Sequence, residues 1–206
     1  MAELPENLFL NPIWHALQTN QRHLGIVAAD AARYFSEVAP FAAVRTPEPS
    51  SLRQLAKLMA PQETVWIVGE EYPPIHDLAF VDSLECFQMV LDEALAIPDH
   101  LSPEILALDA TDAPEMVALT DLAFPGYFRR ETFRMGSYYG VRHNGELIAM
   151  GGERLKLGRY SEISGVCTHP SYRGKGHAAA IIWKIVSDHR SDGCISWLNV
   201  GARNQP

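Results

Sequence analysis

The sequence predicts an α/β (α+β) protein, and three observations carry that reading. Helix-like and strand-like stretches alternate through both halves of the chain. Asn144-Gly145 sits between two strand-like runs, and Asn-Gly is the strongest short-range hairpin signal. The turn Arg173-Gly-Lys-Gly-His-Ala178 separates a strand from a helix, a placement suited to holding an anion.

Length and composition set the outer bounds. A chain of 206 residues makes one large domain or two small ones, with room for a real core. The formal charge of −8 is unevenly spread: residues 1–100 hold five Lys and Arg against fourteen Asp and Glu, and the remainder twelve against eleven. No basic face is expected, which argues against nucleic-acid binding. No apolar run approaches membrane-spanning length, and the first residues lack a signal-peptide pattern. Cys86, Cys167 and Cys194 have no metal-ligand spacing and leave an odd thiol, so no metal and a reduced, cytoplasmic setting are expected.

In the first half, Asn11 and Pro12 look like the cap and first position of a helix over 11–18. Residues 21–41 read either as an Ala-rich helix or as an irregular segment. Ser51 is placed to cap a helix over 52–59, which Pro61 stops. Residues 64–69 predict a buried strand and 85–91 a second one. Residues 97–103, with two prolines, make the best linker, dividing the chain into regions 1–100 and 101–206. The first region bears no recognisable chemistry. Its strand–helix alternation allows a degenerate copy of the second.

In the second half, 105–109 reads as a short strand and 112–124 as a helix, with Asp112 as cap and Glu115 completing an acidic capping box. Pro125-Gly126 ends it. Runs 137–142 and 146–155 form the expected hairpin, and Gly151-Gly152 inside it suggest a bulge or a close backbone contact. A strand over 160–168, the Gly-rich turn, a helix over 179–189 and a strand over 194–200 follow.

Three phosphate sites could use that turn. A nucleoside-triphosphate loop fails, because Lys175 is followed by Gly176 and His177 rather than by a hydroxyl. Gly174-x-Gly176-x-x-Ala179 satisfies the dinucleotide fingerprint, but residues 168–173 intervene after the strand and the next strand ends without a carboxylate. The third reading fits every residue. Arg173-Gly-Lys-Gly-His-Ala178, approached by Val166-Cys-Thr-His-Pro-Ser-Tyr172, resembles the Arg/Gln-x-x-Gly-x-Gly/Ala pyrophosphate signature of the GNAT superfamily of acyl-CoA-dependent N-acyltransferases. The resemblance covers about the second half of the chain.

The resemblance implies a mixed, mostly antiparallel central sheet flanked by helices. It implies acetyl-CoA as co-substrate and direct transfer of an acetyl group to a small-molecule or peptidyl amine, and a homodimer is compatible with the sequence. Main-chain groups of Arg173, Gly174, Lys175, Gly176, His177 and Ala178 would hold the pyrophosphate. Val166, Cys167 and Thr168 would pair with the pantetheine arm, Val166 N–H facing the acyl carbonyl, and Asn204 would open the next helix. Glu162 stands where several family members carry a catalytic glutamate and is the expected general base; otherwise it is a strand residue pairing Arg159 or Lys156. Phe124, Tyr127 and Arg129 are expected to meet the acceptor. Cys167 is expected to be an apolar filler rather than a nucleophile.

The family's thiol-protonating Tyr lies on a helix after the last strand seen here, so no general acid is assigned and the edge of that strand is expected to be open. A noncatalytic acyl-CoA-binding module with a protein-binding first half is the alternative.

Overall fold

A computed structural model describes residues 6–69, 71–91, 96 and 104–203; the expected linker at 97–103 and Asn204 lie outside them. Within these residues the chain forms α1 (Glu6–Leu10), α2 (Pro12–Gln18), β1 (Gly25–Ala28), β2 (Ala31–Tyr34), β3 (Phe41–Val44), α3 (Pro49–Leu58), β4 (Trp66–Ile67) and β5 (Cys86–Val90). There follow β6 (Leu106–Leu108), α4 (Ala113–Asp121), β7 (Tyr138–His143), β8 (Glu146–Leu157), β9 (Tyr160–Thr168), α5 (His177–Ser191) and β10 (Ile195–Gly201). Among the described residues, no helix is long and apolar enough to cross a membrane.

Two sheets result. The smaller has the order β1-β2-β3-β4, antiparallel until β4 joins β3 in parallel. The larger has the order β5-β10-β9-β8-β7-β6 and is antiparallel except for β9 beside β10. This is the mixed, mostly antiparallel sheet flanked by helices that the second half implied.

β5 changes the expected organisation. Although it lies within the first hundred residues, it pairs with β10 from Cys86–Gly201 to Val90–Trp197. The outer edge of β10, expected to be open, is therefore covered. Every residue of β5 is exposed, so this strand is fixed by its ladder to β10 and by a hydrogen bond from Gln88 to the Phe9 carbonyl (3.0 Å) rather than by burial.

One face of the large sheet buries the first half, and the other buries α5. On the first face, Ile13, Trp14 and Leu17 of α2 and Tyr34 of β2 share a cluster with Leu155, Leu157, Tyr160 and Trp197. On the second, Ile181 and Ile185 of α5 pack with Ile148 and Ile163. Burial of a side chain of this size contributes about 2 kcal/mol, so each face is a substantial part of the stability.

The local readings had mixed outcomes. The hairpin forms as expected, with Asn144 at φ 51° and Gly145 at φ 87°, the pair of positive angles that a two-residue turn of this type needs. Residues 21–41 instead fold mainly as β1 and β2, leading into β3. Alanines at 31, 32, 42 and 43 are fully buried there, their small size letting α2 and α3 approach the sheet. The strand expected at 64–69 shrinks to Trp66–Ile67, half-buried. Ser51 lies inside α3 rather than capping it. Asp112 forms no capping bond; with Glu115 it binds Arg142 of β7 instead, at 2.5 and 2.6 Å. An arginine on a strand beside the helix start won over the local cap.

Candidate active site

β9 and β10 pair over three rungs, Tyr160–Ile195, Ser161–Ser196 and Glu162–Trp197, and then part. Beyond Trp197, β10 continues to Gly201 paired with β5 alone, while β9 continues to Thr168 paired with β8 alone. The two strands thus form a fork whose root is at Glu162 and Trp197.

Along the open arm of β9, Gly165 and Val166 together oppose Gly151, since Ser164 pairs Gly152 and Cys167 pairs Met150. Gly165 has φ 64°, the conformation that lets an extra residue bulge from a strand. Such a bulge leaves one backbone unit outside the ladder, here on the arm bordering the fork. The partner strand is shaped to match. A Cβ on Gly152 would stand 2.3 Å from the Tyr138 ring, and one on Gly151 3.0 Å from both Ile181 and Val166. The close contact expected at this glycine pair is present.

At the end of β9 the chain makes a single 3-10 turn over Pro170–Tyr172 and enters α5. Gly174 and Gly176 have φ 74° and 80°, and a Cβ on either would meet nothing within 4 Å. Residues 173 to 176 are exposed, and His177 and Ala178 are half-buried. The turn is therefore open to solvent rather than packed shut. Amides in the first turn of α5 have no carbonyl of their own helix to bind, and the dipole of a 15-residue helix adds positive potential. His177 Nδ1 is buried there without a partner. Arg173 donates to the Thr168 carbonyl (3.3 Å), and Lys175 lies over the Tyr172 ring at 5.2 Å. These features fit a diphosphate.

Glu162 is fully buried at the root of the fork. Its carboxylate pairs with neither Arg159 nor Lys156. It accepts two bonds from Arg154 (2.8 and 2.5 Å), one from Asn199 Nδ2 (2.7 Å) and a longer one from the Leu155 amide (3.3 Å). Lys156 pairs with Glu153 instead. Arg154 also stacks on Phe41 of β3 at 4.8 Å, so the first half closes over this ion pair. Burial is the largest influence on its guanidinium and would push it down, but the charge of and hydrogen bonds to Glu162, with the nearby phenols of Tyr138 and Tyr34, together outweigh it and hold it up. Buried Tyr34 and Tyr138 stand close enough to feel both charges, and burial drives their phenols well above the usual range.

Of the expected acceptor residues, Tyr127 stacks on Trp66 with centroids 5.3 Å apart and planes 28° from parallel. Phe124 is exposed. Arg129 is half-buried and bonds back to the Gly126 carbonyl at 2.6 Å. Val166 and Thr168 are half-buried on the open arm, and Cys167 is buried against Met150, where burial pushes its thiol up to about 12. Among the described residues, no group of three or more His, Cys, Asp or Glu is placed to hold a metal ion.

Sequence reasoning missed Arg154, Asn199 and Phe41, and read Trp66 as core packing rather than as part of a site. A signal existed for Arg154. Glu153-Arg154 interrupts an apolar strand, and adjacent strand residues point to opposite faces, so each charge had to find a partner in a different layer.

The comparisons with known proteins agree with this geometry. The profile described as "Acetyltransferase (GNAT) family" matches residues 104–206. A GNAT-family protein of known structure from Novosphingobium aromaticivorans is 33% identical, with TM-score 0.84 over 95% of this chain and 86% of that one. A GCN5-related N-acetyltransferase from Kribbella flavida shares the fold, at 15% identity and TM-score 0.61 over 100% of this chain and 90% of that one. No match was found among curated proteins. The first of these structures extends the likeness into the first half, where the sequence carried no motif. Motif, fork and whole-chain likeness coincide, and the chain belongs to the acetyltransferase (GNAT) family.

Proposed function

We propose that the protein is an acyl-CoA-dependent N-acetyltransferase that moves an acetyl group from acetyl-CoA directly to an amine. The observation that carries this reading is the fork between β9 and β10, with a bulged backbone on one arm and the open turn of α5 at its mouth. The co-substrate would supply an activated thioester. The chain's own residues would bind and orient it. Main-chain amides of Arg173 to Ala178 take the diphosphate, and the arm of β9 from Val166 to Thr168 takes the pantetheine amides as an added strand would. The bulge at Gly165–Val166 aims a main-chain N–H at the acyl carbonyl, where it stabilises the oxyanion of the tetrahedral state.

The amine reaches the thioester from the face covered by the first half. Tyr127, stacked on Trp66, walls that approach, with Phe124 and Arg129 at its rim. Glu162 acts as general base, taking the amine proton through water. Its bond from Asn199 crosses the fork and is the one that insertion of the arm can exchange. The acceptor is a small-molecule or peptidyl amine, and a cytoplasmic protein without a metal belongs to the same proposal.

Glu162→Gln tests the base. Turnover at neutral pH should fall at least tenfold, with acetyl-CoA affinity nearly unchanged. Level rates of free-thiol release would remove Glu162 from that role. Gly174→Glu tests the cradle by placing charge and bulk in the turn. It should abolish acetyl-CoA binding in calorimetry, and unchanged affinity would refute the diphosphate site. A second reading, an acyl-CoA-binding module without turnover, is favoured by one observation: both Glu162 oxygens are engaged. Binding of acetyl-CoA with no acetylation across a panel of amines would select it.

A further inference from the structure

On the α5 side of the fork's root lies a second polar cluster, of which the transfer chemistry makes no use. Glu153, Ser161, His189 and Ser196 are each no more than 6% exposed. One oxygen of Glu153 accepts from Ser161 Oγ at 2.6 Å and lies 3.0 Å from His189 Nε2, while His189 Nδ1 lies 2.8 Å from Ser196 Oγ. The other oxygen accepts from the Ser137 amide at 2.7 Å and meets Lys156 at 3.2 Å. With Nε2–H donating to the carboxylate, Nδ1 is left to accept the Ser196 hydroxyl hydrogen. Every member has a partner, as a buried network requires if it is to rigidify a site.

Its placement gives it a purpose. Ser161 and Ser196 form the middle one of the three rungs that join β9 to β10. Glu153 belongs to β8 and His189 to the last turns of α5, so a single contact set ties four elements where the fork begins. The same helix carries the phosphate turn at its other end. His177 and His189 are twelve residues apart, roughly 18 Å along a helix. The root of the fork and the cradle are thus fixed to two ends of one rod. A carrier held at its diphosphate and threaded through the fork delivers its thioester to the bulge only if that spacing is held, and a displacement of about 1 Å can cost a hundredfold in rate.

We propose that Glu153 and His189 are positioning residues for the acyl-CoA arm: through Ser161 and Ser196 they set the point at which β9 and β10 separate and lock it to the helix bearing the Gly174–Gly176 turn. The proposal rests on the acyl-CoA reading of the fork. Burial works to raise the Glu153 carboxyl, but hydrogen bonds from His189, Ser137 and Ser161, with the charge of Lys156, overcome it and keep the group ionised.

The test compares wild type, Ser196→Ala, His189→Leu and a control, Leu55→Ala, whose cavity lies in the separate α3 cluster. Acetyl-CoA affinity is measured by calorimetry well below each melting temperature, with amide exchange followed at Ile195 and Trp197, whose backbone faces β9. Ser196→Ala and His189→Leu should each weaken acetyl-CoA at least tenfold and accelerate exchange at those two amides. Leu55→Ala should stay within twofold in affinity even at an equal or greater loss of melting temperature. Ser196→Ala removes one oxygen and keeps the question open to measurement if His189→Leu fails to fold. Unchanged exchange at Ile195 and Trp197, or an equal affinity loss in the control, overturns the positioning role. Wild-type protein that binds no acetyl-CoA overturns instead the reading on which the role rests, and is recognised before any variant is compared.

Discussion

The side-chain amide of Asn199 donates to Glu162 Oε1 at 2.7 Å across the fork, two residues beyond the last rung that joins their strands. The contact spans the gap left when the ladder ends. It shares the carboxylate with Arg154, whose guanidinium stacks on Phe41. Strand separation and first-half wall are therefore linked through one buried group, the residue proposed as the base.

Removing the arginine should expose the cost of that arrangement. Arg154→Met leaves Glu162 fully buried without its cation, which by the measured behaviour of broken buried pairs costs about 3–5 kcal/mol. Arg154→Met with Glu162→Leu should recover most of the loss. Urea denaturation of the two proteins decides the matter, and a double variant as unstable as the single one would mean that packing rather than charge dominates.

Two glycines should respond differently to alanine. At Gly176 the added methyl enters open space and costs only the positive φ, about 1 kcal/mol. At Gly152 it lands 2.3 Å from the Tyr138 ring and 2.6 Å from the Ser137 carbonyl, which forces the strand pair apart at about 2–3 kcal/mol. Thermal unfolding should rank Gly152→Ala below Gly176→Ala, while acetyl-CoA binding should suffer in both.

Acid stability has a definite sign. The Glu153 carboxyl is held well below the usual carboxylate range, because the bonds from His189, Ser137 and Ser161 outweigh burial. Its contribution is complete above the unfolded value near about 4.3 and is lost as the pH falls from there toward the folded value. Unfolding free energies measured from pH 7 to 3 should therefore decline more shallowly in Glu153→Gln than in wild type. The Glu63 carboxyl, lowered by its bond from Arg33, adds to the decline in both proteins.

Tyr127→Ala removes the ring stacked on Trp66. On the acceptor reading, KM for the amine rises several-fold and KM for acetyl-CoA stays level. Steady-state kinetics with each substrate varied in turn separates the two, and a rise confined to acetyl-CoA would place Tyr127 on the wrong side of the transfer.

Cys167→Ala should leave turnover within about twofold. The thiol is buried and pushed up to about 12, too far for a thiolate nucleophile at neutral pH. Loss of activity in a variant that still binds acetyl-CoA would demand a covalent step.

Local chemistry accounts for what could be read early. The Asn144-Gly145 hairpin, the strand over β9 and the positive-φ glycines before α5 depend on backbone preferences within a few residues. The first half was opaque for the converse reason. Its Ala-rich strands have no clear period and few β-branched side chains, and packing against α2 and α3 selects strand over helix. Glu162 was legible as a position in a motif, whereas its partners lie 8 and 37 residues away in sequence.

By itself, then, the sequence determined the Gly-rich turn, the strand that feeds it and the family to which both belong, since each is a property of contiguous residues. Only the tertiary structure decided that β5 covers β10, that Arg154 and Asn199 engage Glu162, and that Glu153 and His189 tie the root of the fork. Those are contacts between segments far apart along the chain. Their geometry exists only after burial has forced each polar group in the sheet to find a partner in another layer.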